Sequence, residues 1–182
     1  ETFIHGNLDG DNYEQIKFNT DDIEYQYYHN STSTALNRTT AGVFRDPTAW
    51  FHYIFRRNGN TGEVIINGAT ATTTGDSGTP GTNAGWLTNP SSAVEIGRQI
   101  YPGGSASAYS ELYLADIVLL DGVFLDPTDV GEYDSDTGIW MPKDPSEISS
   151  FGNNGFWLDF SNGSKLGNDA SGNTHPVMTT AH

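Results

Sequence analysis

Asn12-Tyr13-Glu14-Gln15-Ile16-Lys17-Phe18-Asn19-Thr20-Asp21-Asp22-Ile23-Glu24-Tyr25-Gln26-Tyr27-Tyr28-His29 is the stretch whose reading decides the fold. Successive side chains of a strand point to opposite faces, so Ile23, Tyr25 and Tyr27 share one face and Glu24, Gln26 and Tyr28 the other. Over residues 12–18 the large apolar side chains alternate less cleanly with polar ones, as in a half-exposed strand. Asn19-Thr20-Asp21-Asp22 supplies turn chemistry between the two. Thr2-Phe3-Ile4-His5 upstream, followed by Gly6-Asn7-Leu8-Asp9-Gly10-Asp11, adds a third strand and turn, and the spacing predicts an antiparallel meander.

Downstream the pattern continues. Residues 49–57, Ala-Trp-Phe-His-Tyr-Ile-Phe-Arg-Arg, are apolar on both faces and predict a strand in the middle of a covered sheet, with Trp50 in the core. Asn58-Gly59-Asn60-Thr61-Gly62 then turns it into a hairpin with residues 63–68. Residues 69–93 are almost entirely small and polar, with Trp86-Leu87 the large apolar pair, and predict a long loop of the kind that carries function. Residues 94–97 and 111–121 return to strand, and Asp126-Pro127 offers an N-cap and first-turn proline for a short helix ending by Gly131. In the tail, Phe156, Leu158 and Phe160 fall on one face of a further strand, and Trp157 of the same strand is expected in the core.

Composition fits this all-β reading. Among 182 residues, 21 are glycine and charged residues make up 17%, which suits short strands joined by tight turns. Hydrophobic residues reach only 35% but aromatics 12%, so Trp, Tyr and Phe must supply much of the buried area. A net charge of −15 repels nucleic-acid backbones and anionic lipid surfaces. With no cysteine, neither a disulfide nor a Cys-ligated zinc is available. No apolar run approaches the ~20 residues of a membrane helix. Glu1 is not an initiator methionine, and further sequence upstream is expected.

Several stretches taken together resemble the concanavalin A-like, laminin-G-like jelly-roll domains carried by virion proteins of tailed bacteriophages. They are Arg45-Asp46-Pro47-Thr48-Ala49-Trp50-Phe51-His52, Ile66-Asn67-Gly68, Ile96-Gly97-Arg98, Leu114-Ala115-Asp116-Ile117-Val118-Leu119-Leu120-Asp121-Gly122 with Leu125-Asp126-Pro127-Thr128-Asp129-Val130-Gly131, and Thr137-Gly138-Ile139-Trp140-Met141-Pro142-Lys143. Asn154-Gly155-Phe156-Trp157-Leu158-Asp159-Phe160-Ser161 and Leu166-Gly167-Asn168-Asp169-Ala170-Ser171-Gly172-Asn173 complete the set. The resemblance spans residues 40–175 and implies a two-sheet antiparallel jelly-roll sandwich over 1–133. A C-terminal tail over 134–182 then docks one strand on the same domain, with Trp140 as its anchor. The family opens with a strand before the point where this chain begins, so an N-terminal edge strand is expected to be missing.

The same resemblance implies a virion-surface, extracellular setting: a non-catalytic module of a tail fibre, tail-associated or capsid-decorating protein, with other virion subunits and host-surface glycans as partners and a homo-oligomeric state. Sugar binding needs an exposed aromatic face and nearby amide or carboxylate groups, and Trp86, Tyr101 and Tyr109, read as loop residues, are the candidates. Hydrolysis needs two carboxylates roughly 5–5.5 Å apart. The Glu-x-Asp-x-x-Glu triplet of the superfamily's glycosidases does not occur, and Glu111 and Asp116 fall on opposite faces of the expected strand. The histidines show no metal spacing. Asp9 with Asp11, and Asp134 with Asp136, alternate oxygen ligands in a manner suited to calcium, but neither run completes an EF-hand loop, and both also suit plain turns. The alternatives are a purely structural virion assembly domain, a polysaccharide hydrolase and a calcium-dependent adhesion domain.

Overall fold

The computed structural model describes residues 2–9, 12–29, 34–46, 48–58, 61–77, 85, 87–100 and 106–173. The chain divides into two compact units, Glu1–Leu112 and Tyr113–His182. The break therefore falls ahead of residues 113–133, which the sequence groups with the N-terminal sandwich. Both units are antiparallel β with very little helix.

The first unit is built on the meander. β1 (Thr2–Asp9), β2 (Asn12–Asn19), β3 (Asp22–Tyr28) and β4 (Thr34–Thr40) pair in succession. β8 (Thr73–Ser77) adds to β4 and β9 (Ala93–Ile96) to β1, giving a six-stranded sheet in the order β8-β4-β3-β2-β1-β9. β2 and β3 stay in register from Tyr13↔Tyr28 to Asn19↔Asp22, around a connection in which Thr20 takes φ 65°. Only glycine enters that region without steric cost. β5 (Tyr53–Asn58), β6 (Thr61–Ile66) and β7 (Ala69–Thr70) form a second, three-stranded sheet. Asn67 (φ 48°) and Gly68 (φ 79°) turn β6 into β7, as the primed hairpin turns require. β10 (Arg98–Ile100) and β11 (Ala106–Tyr109) make a separate pair.

Ile23, Tyr25 and Tyr27 are buried as their alternation predicts, and with Leu36 they line the inner face of the six-stranded sheet. Phe55 of β5 lies flat on Tyr25, ring centroids 3.5 Å apart and planes 16° apart, so the three-stranded sheet packs on this face. The Cβ position of Gly62 is already 3.1 Å from Leu36, which explains a glycine inside β6.

Some expectations change. Residues 49–57 do not form a central strand: extension begins at Tyr53, β5 pairs with β6 on one side only, and Trp50 is 66% exposed instead of core. Being apolar on both faces did not place this run in mid-sheet, because one row of it serves the aromatic cluster of Phe3, Phe44, Phe51 and Tyr53. The expected loop over 69–93 contains β7 and β8. A Thr-rich stretch without large side chains can still complete a sheet edge through its backbone.

In the second unit, β12 (Ile117–Leu119) pairs with β15 (Phe156–Leu158), and β13 (Gly131–Tyr133) with β14 (Trp140–Pro142). The tail strand is present, with Phe156 and Leu158 buried, but Phe160 leaves it at φ 52°. The strand expected over 111–121 shrinks to Ile117–Leu119, because Asp116 takes φ 47° and accepts the Trp157 indole N–H at 2.9 Å. Tyr113 is 89% exposed. The short helix is α1 (Pro127–Val130), closed at its start by the Asp126 N–H donating to Asp129 Oδ2 at 2.7 Å. Trp140 is buried against Gly131, where a Cβ would overlap its ring, and meets Tyr133 edge-on.

The polar residues of the recognisable tail stretches tie loops together. Asp121 Oδ2 accepts from the Asn154 backbone and side chain, Asp169 Oδ1 accepts from Trp157 N and Ser171 N, and the Asn173 amide donates to Gly152 O and Gly155 O. These side chain-to-backbone bonds satisfy polar groups of the unit's loops.

Candidate functional site

The face of the six-stranded sheet opposite the aromatic core carries the most concentrated polar chemistry among the described residues. Strand register aligns one residue from every strand into a single row: Glu95 opposite His5, His5 opposite Gln15, Gln15 opposite Gln26, Gln26 opposite Asn37, and Asn37 opposite Ser77. Alternation then puts their inner neighbours, Ile4, Ile16, Tyr25 and Leu36, into or beside the core. With strands ~4.8 Å apart, the row runs about 24 Å across the sheet.

Across β2, β3 and β4 its side chains are linked through Glu24. Gln15 Nε2 donates to Gln26 Oε1 at 2.6 Å, Gln26 Nε2 to Glu24 Oε1 at 2.8 Å, and Asn37 Nδ2 to the same Glu24 oxygen at 3.0 Å. Lys17 Nζ lies 3.3 Å from Glu24 Oε2. At the other end Arg98 grips Glu95 with two bonds, of 2.7 and 3.0 Å. The centre of the row is deeply placed, His5 at 2%, Gln15 at 1% and Glu24 at 5% exposure, whereas Gln26, Asn37 and Glu95 are half-buried. Burial holds the His5 imidazole down to about 4, against the opposing pull of the Glu95 charge, so the ring is neutral at physiological pH. Its Nδ1 and Gln15 Oε1 are buried without a hydrogen-bond partner.

One row away, Tyr13 and Tyr28 stack with centroids 4.5 Å apart and planes 15° apart, both half-buried, and the Tyr13 ring lies 5.6 Å from that of His5. Amides, a neutral imidazole and an aromatic pair on one sheet face are the groups that bond and stack on sugar rings.

A second buried polar cluster lies on the core face. Glu14 accepts from the Tyr25 hydroxyl through Oε1 and from Leu87 N through Oε2, at 3.1 Å in the second case. Burial first, and then the Glu14 charge, push the Tyr25 hydroxyl far above its ordinary value. A Cβ on Gly85 would come within 2.6 Å of Glu14 Oε2. Glu14 thereby fastens the backbone at Leu87 to the sheet, with Gly85 in close approach.

Of the residues marked by sequence, Trp86, Tyr101 and Asp11 lie outside the described residues, as does the Asp9 side chain, although Asp9 ends β1. Tyr109 is exposed, but it ends β11 opposite Arg98 and is not a loop residue. Asp134 is spent on a turn. Its Oδ1 accepts from Asp136 N, Thr137 N and Thr137 Oγ1, and the Thr137 bonds hold its carboxyl below the usual range. Asp136 is exposed beside it. Among the described residues no group of three or more His, Asp or Glu side chains could hold a metal ion. The structure thus gathers His5, Gln15, Gln26, Asn37, Glu24, Glu95, Tyr13 and Tyr28, none of them marked by sequence as a binding residue. The available signal was the polar series Glu24, Gln26, Tyr28 on the outer face of the quoted stretch.

Compared with protein-family models, with curated proteins and with solved structures, the chain matches none.

Proposed function

We propose that this chain is a non-catalytic glycan-binding module of a virion surface, part of a tail fibre, tail-associated or capsid-decorating protein, that engages sugars through the outer face of its six-stranded sheet. The observation that carries the binding reading is the in-register row from Glu95 to Ser77 with the Tyr13–Tyr28 stack beside it. Its half-buried members, Gln26, Asn37 and Glu95 with Tyr13 and Tyr28, offer directional hydrogen bonds for hydroxyls and an apolar ring surface for sugar C–H groups. The virion setting rests on the resemblance of residues 114–131 and 154–173 to phage domains. A glycan array tests the binding: Gln26→Ala and Tyr28→Ala, at half-buried positions, should each weaken it while leaving far-UV circular dichroism unchanged. Wild-type protein that binds no glycan, or variants that bind as before, would count against it.

A second reading is a structural assembly domain whose surface meets other virion subunits. It is favoured by the exposed Tyr113, Phe124, Tyr133, Ile139 and Met141 of the second unit, large apolar side chains that contact with another subunit would cover. Light scattering of the wild type against Ile139→Asp separates the readings. Concentration-dependent association lost in the variant supports assembly.

A further inference from the structure

We propose that the polar row selects neutral, hydroxyl-bearing glycans over anionic ones through the fixed direction of its amide hydrogen bonds, an inference that rests on the glycan-binding reading above.

The direction originates at Glu24. As the partner of Lys17 it is a carboxylate, which can only accept. Gln26 must therefore turn its NH2 toward Glu24, which leaves its Oε1 facing Gln15. Gln15 must in turn present its NH2 to that oxygen. Reversing either amide would set two oxygens against each other, so the orientation of both follows from one carboxylate two strands away from His5. The relay ends on Gln15 Oε1, an acceptor buried without a donor, and in register beside it stands His5 Nδ1, also without a partner. On the far side Asn37 repeats the logic: its NH2 goes to Glu24 and its Oδ1 receives Thr39 Oγ1 at 3.5 Å.

A ligand group meeting this pair must donate to the Gln15 oxygen. The neutral imidazole offers one donor and one acceptor nitrogen, and a hydroxyl can answer either. A sulfate, phosphate or carboxylate only accepts, and would leave Gln15 Oε1 unpaired and facing further oxygens. Nor does the row hold spare positive charge: its cations, Lys17 and Arg98, are already paired with Glu24 and Glu95, and the chain carries −15 overall. The two unpaired atoms are buried in the unliganded chain, so binding requires a neighbouring side chain to move aside; Tyr13, half-buried with its ring 5.6 Å from that of His5, is the candidate.

The test uses the whole chain on a panel of neutral hexose and N-acetylhexosamine oligosaccharides beside their sulfated and uronic-acid counterparts, with wild type and Gln15→Leu. The variant removes an unpaired buried acceptor together with the donor to the half-buried Gln26 Oε1, two opposed effects, so its urea midpoint should stay close to that of the wild type. Neutral probes should bind the wild type without dependence on salt and bind the variant about tenfold more weakly. In the wild type the same probe should shift the side-chain NMR resonances of Gln15 and His5, a readout that needs no variant to fold. Wild-type binding of the sulfated or uronic probes, undiminished neutral binding in folded Gln15→Leu, or unmoved Gln15 and His5 resonances overturns this inference and leaves glycan binding standing. Absence of binding to every probe overturns glycan binding itself and the inference with it.

Discussion

Acidification should loosen the first unit through His5. The imidazole, ordinarily near 6.5, is lowered to about 4 in the folded chain, with burial the larger cause and Glu95 opposing it. The sign follows from which state binds the proton. Between pH 6.5 and 4 the unfolded chain takes up a proton that the folded chain refuses, so stability falls as pH drops through this window and is unaffected by His5 above it. The two values imply a loss of roughly 2 kcal/mol at pH 5, approaching about 3 kcal/mol below pH 4, a sizeable part of the ~5–15 kcal/mol that holds a typical domain. Carboxylates also titrate on the way down. Asp46, Asp134, Asp144 and Asp159 are held low by turn hydrogen bonds to Thr48, Thr137, Ser146 and Ser161. Comparison with His5→Gln removes their contribution, because they titrate alike in both proteins. Urea unfolding at pH 7, 6 and 5, followed by circular dichroism, should show the wild type losing about 2 kcal/mol relative to the variant. An NMR titration of the His5 ring proton should find its midpoint near 4. Parallel stability curves for the two proteins, or a ring that titrates at its ordinary value, would refute the argument that burial on this sheet face keeps the imidazole neutral.

Other substitutions test particular packing arguments. Gly131→Ala drives a methyl into the buried Trp140 ring and should cost ~1–3 kcal/mol or more in the second unit, read as a lowered thermal midpoint with a changed tryptophan near-UV signal. Thr20→Gly, at φ 65° in the β2–β3 turn, relieves backbone strain and should raise the urea midpoint, by about 1 kcal/mol; a lowered midpoint would show that Thr20 side-chain contacts outweigh the strain. Glu14→Ala leaves the Tyr25 hydroxyl and the Leu87 N–H without their acceptor and should destabilise the first unit by ~2–4 kcal/mol, with faster amide exchange at Leu87. If Leu87 exchange is unchanged in that variant, Glu14 does not hold the Leu87 backbone.

What could be read without coordinates was local. Ile23, Tyr25 and Tyr27 declare their buried face by alternation, Asp126-Pro127 declares its helix start, and Phe156 and Leu158 the tail strand, because each signal depends on residues within a few positions of one another. What was lost depended on distant neighbours. Residues 49–57 look central by composition, yet β5 is an edge strand, since nothing in its own sequence says how many strands lie beyond it.

The polar row shows the division most plainly. The sequence by itself determined that Gln15 and Gln26 would stand among apolar residues on strands, and that a chain rich in glycine and aromatic residues would fold as antiparallel β; the strand that carries Asn37 came only with the structure. Only the tertiary structure decided that these three, with His5 and Glu95, would stand side by side in one row. Register is a property of paired strands: a slip of one residue would turn each side chain to the opposite face.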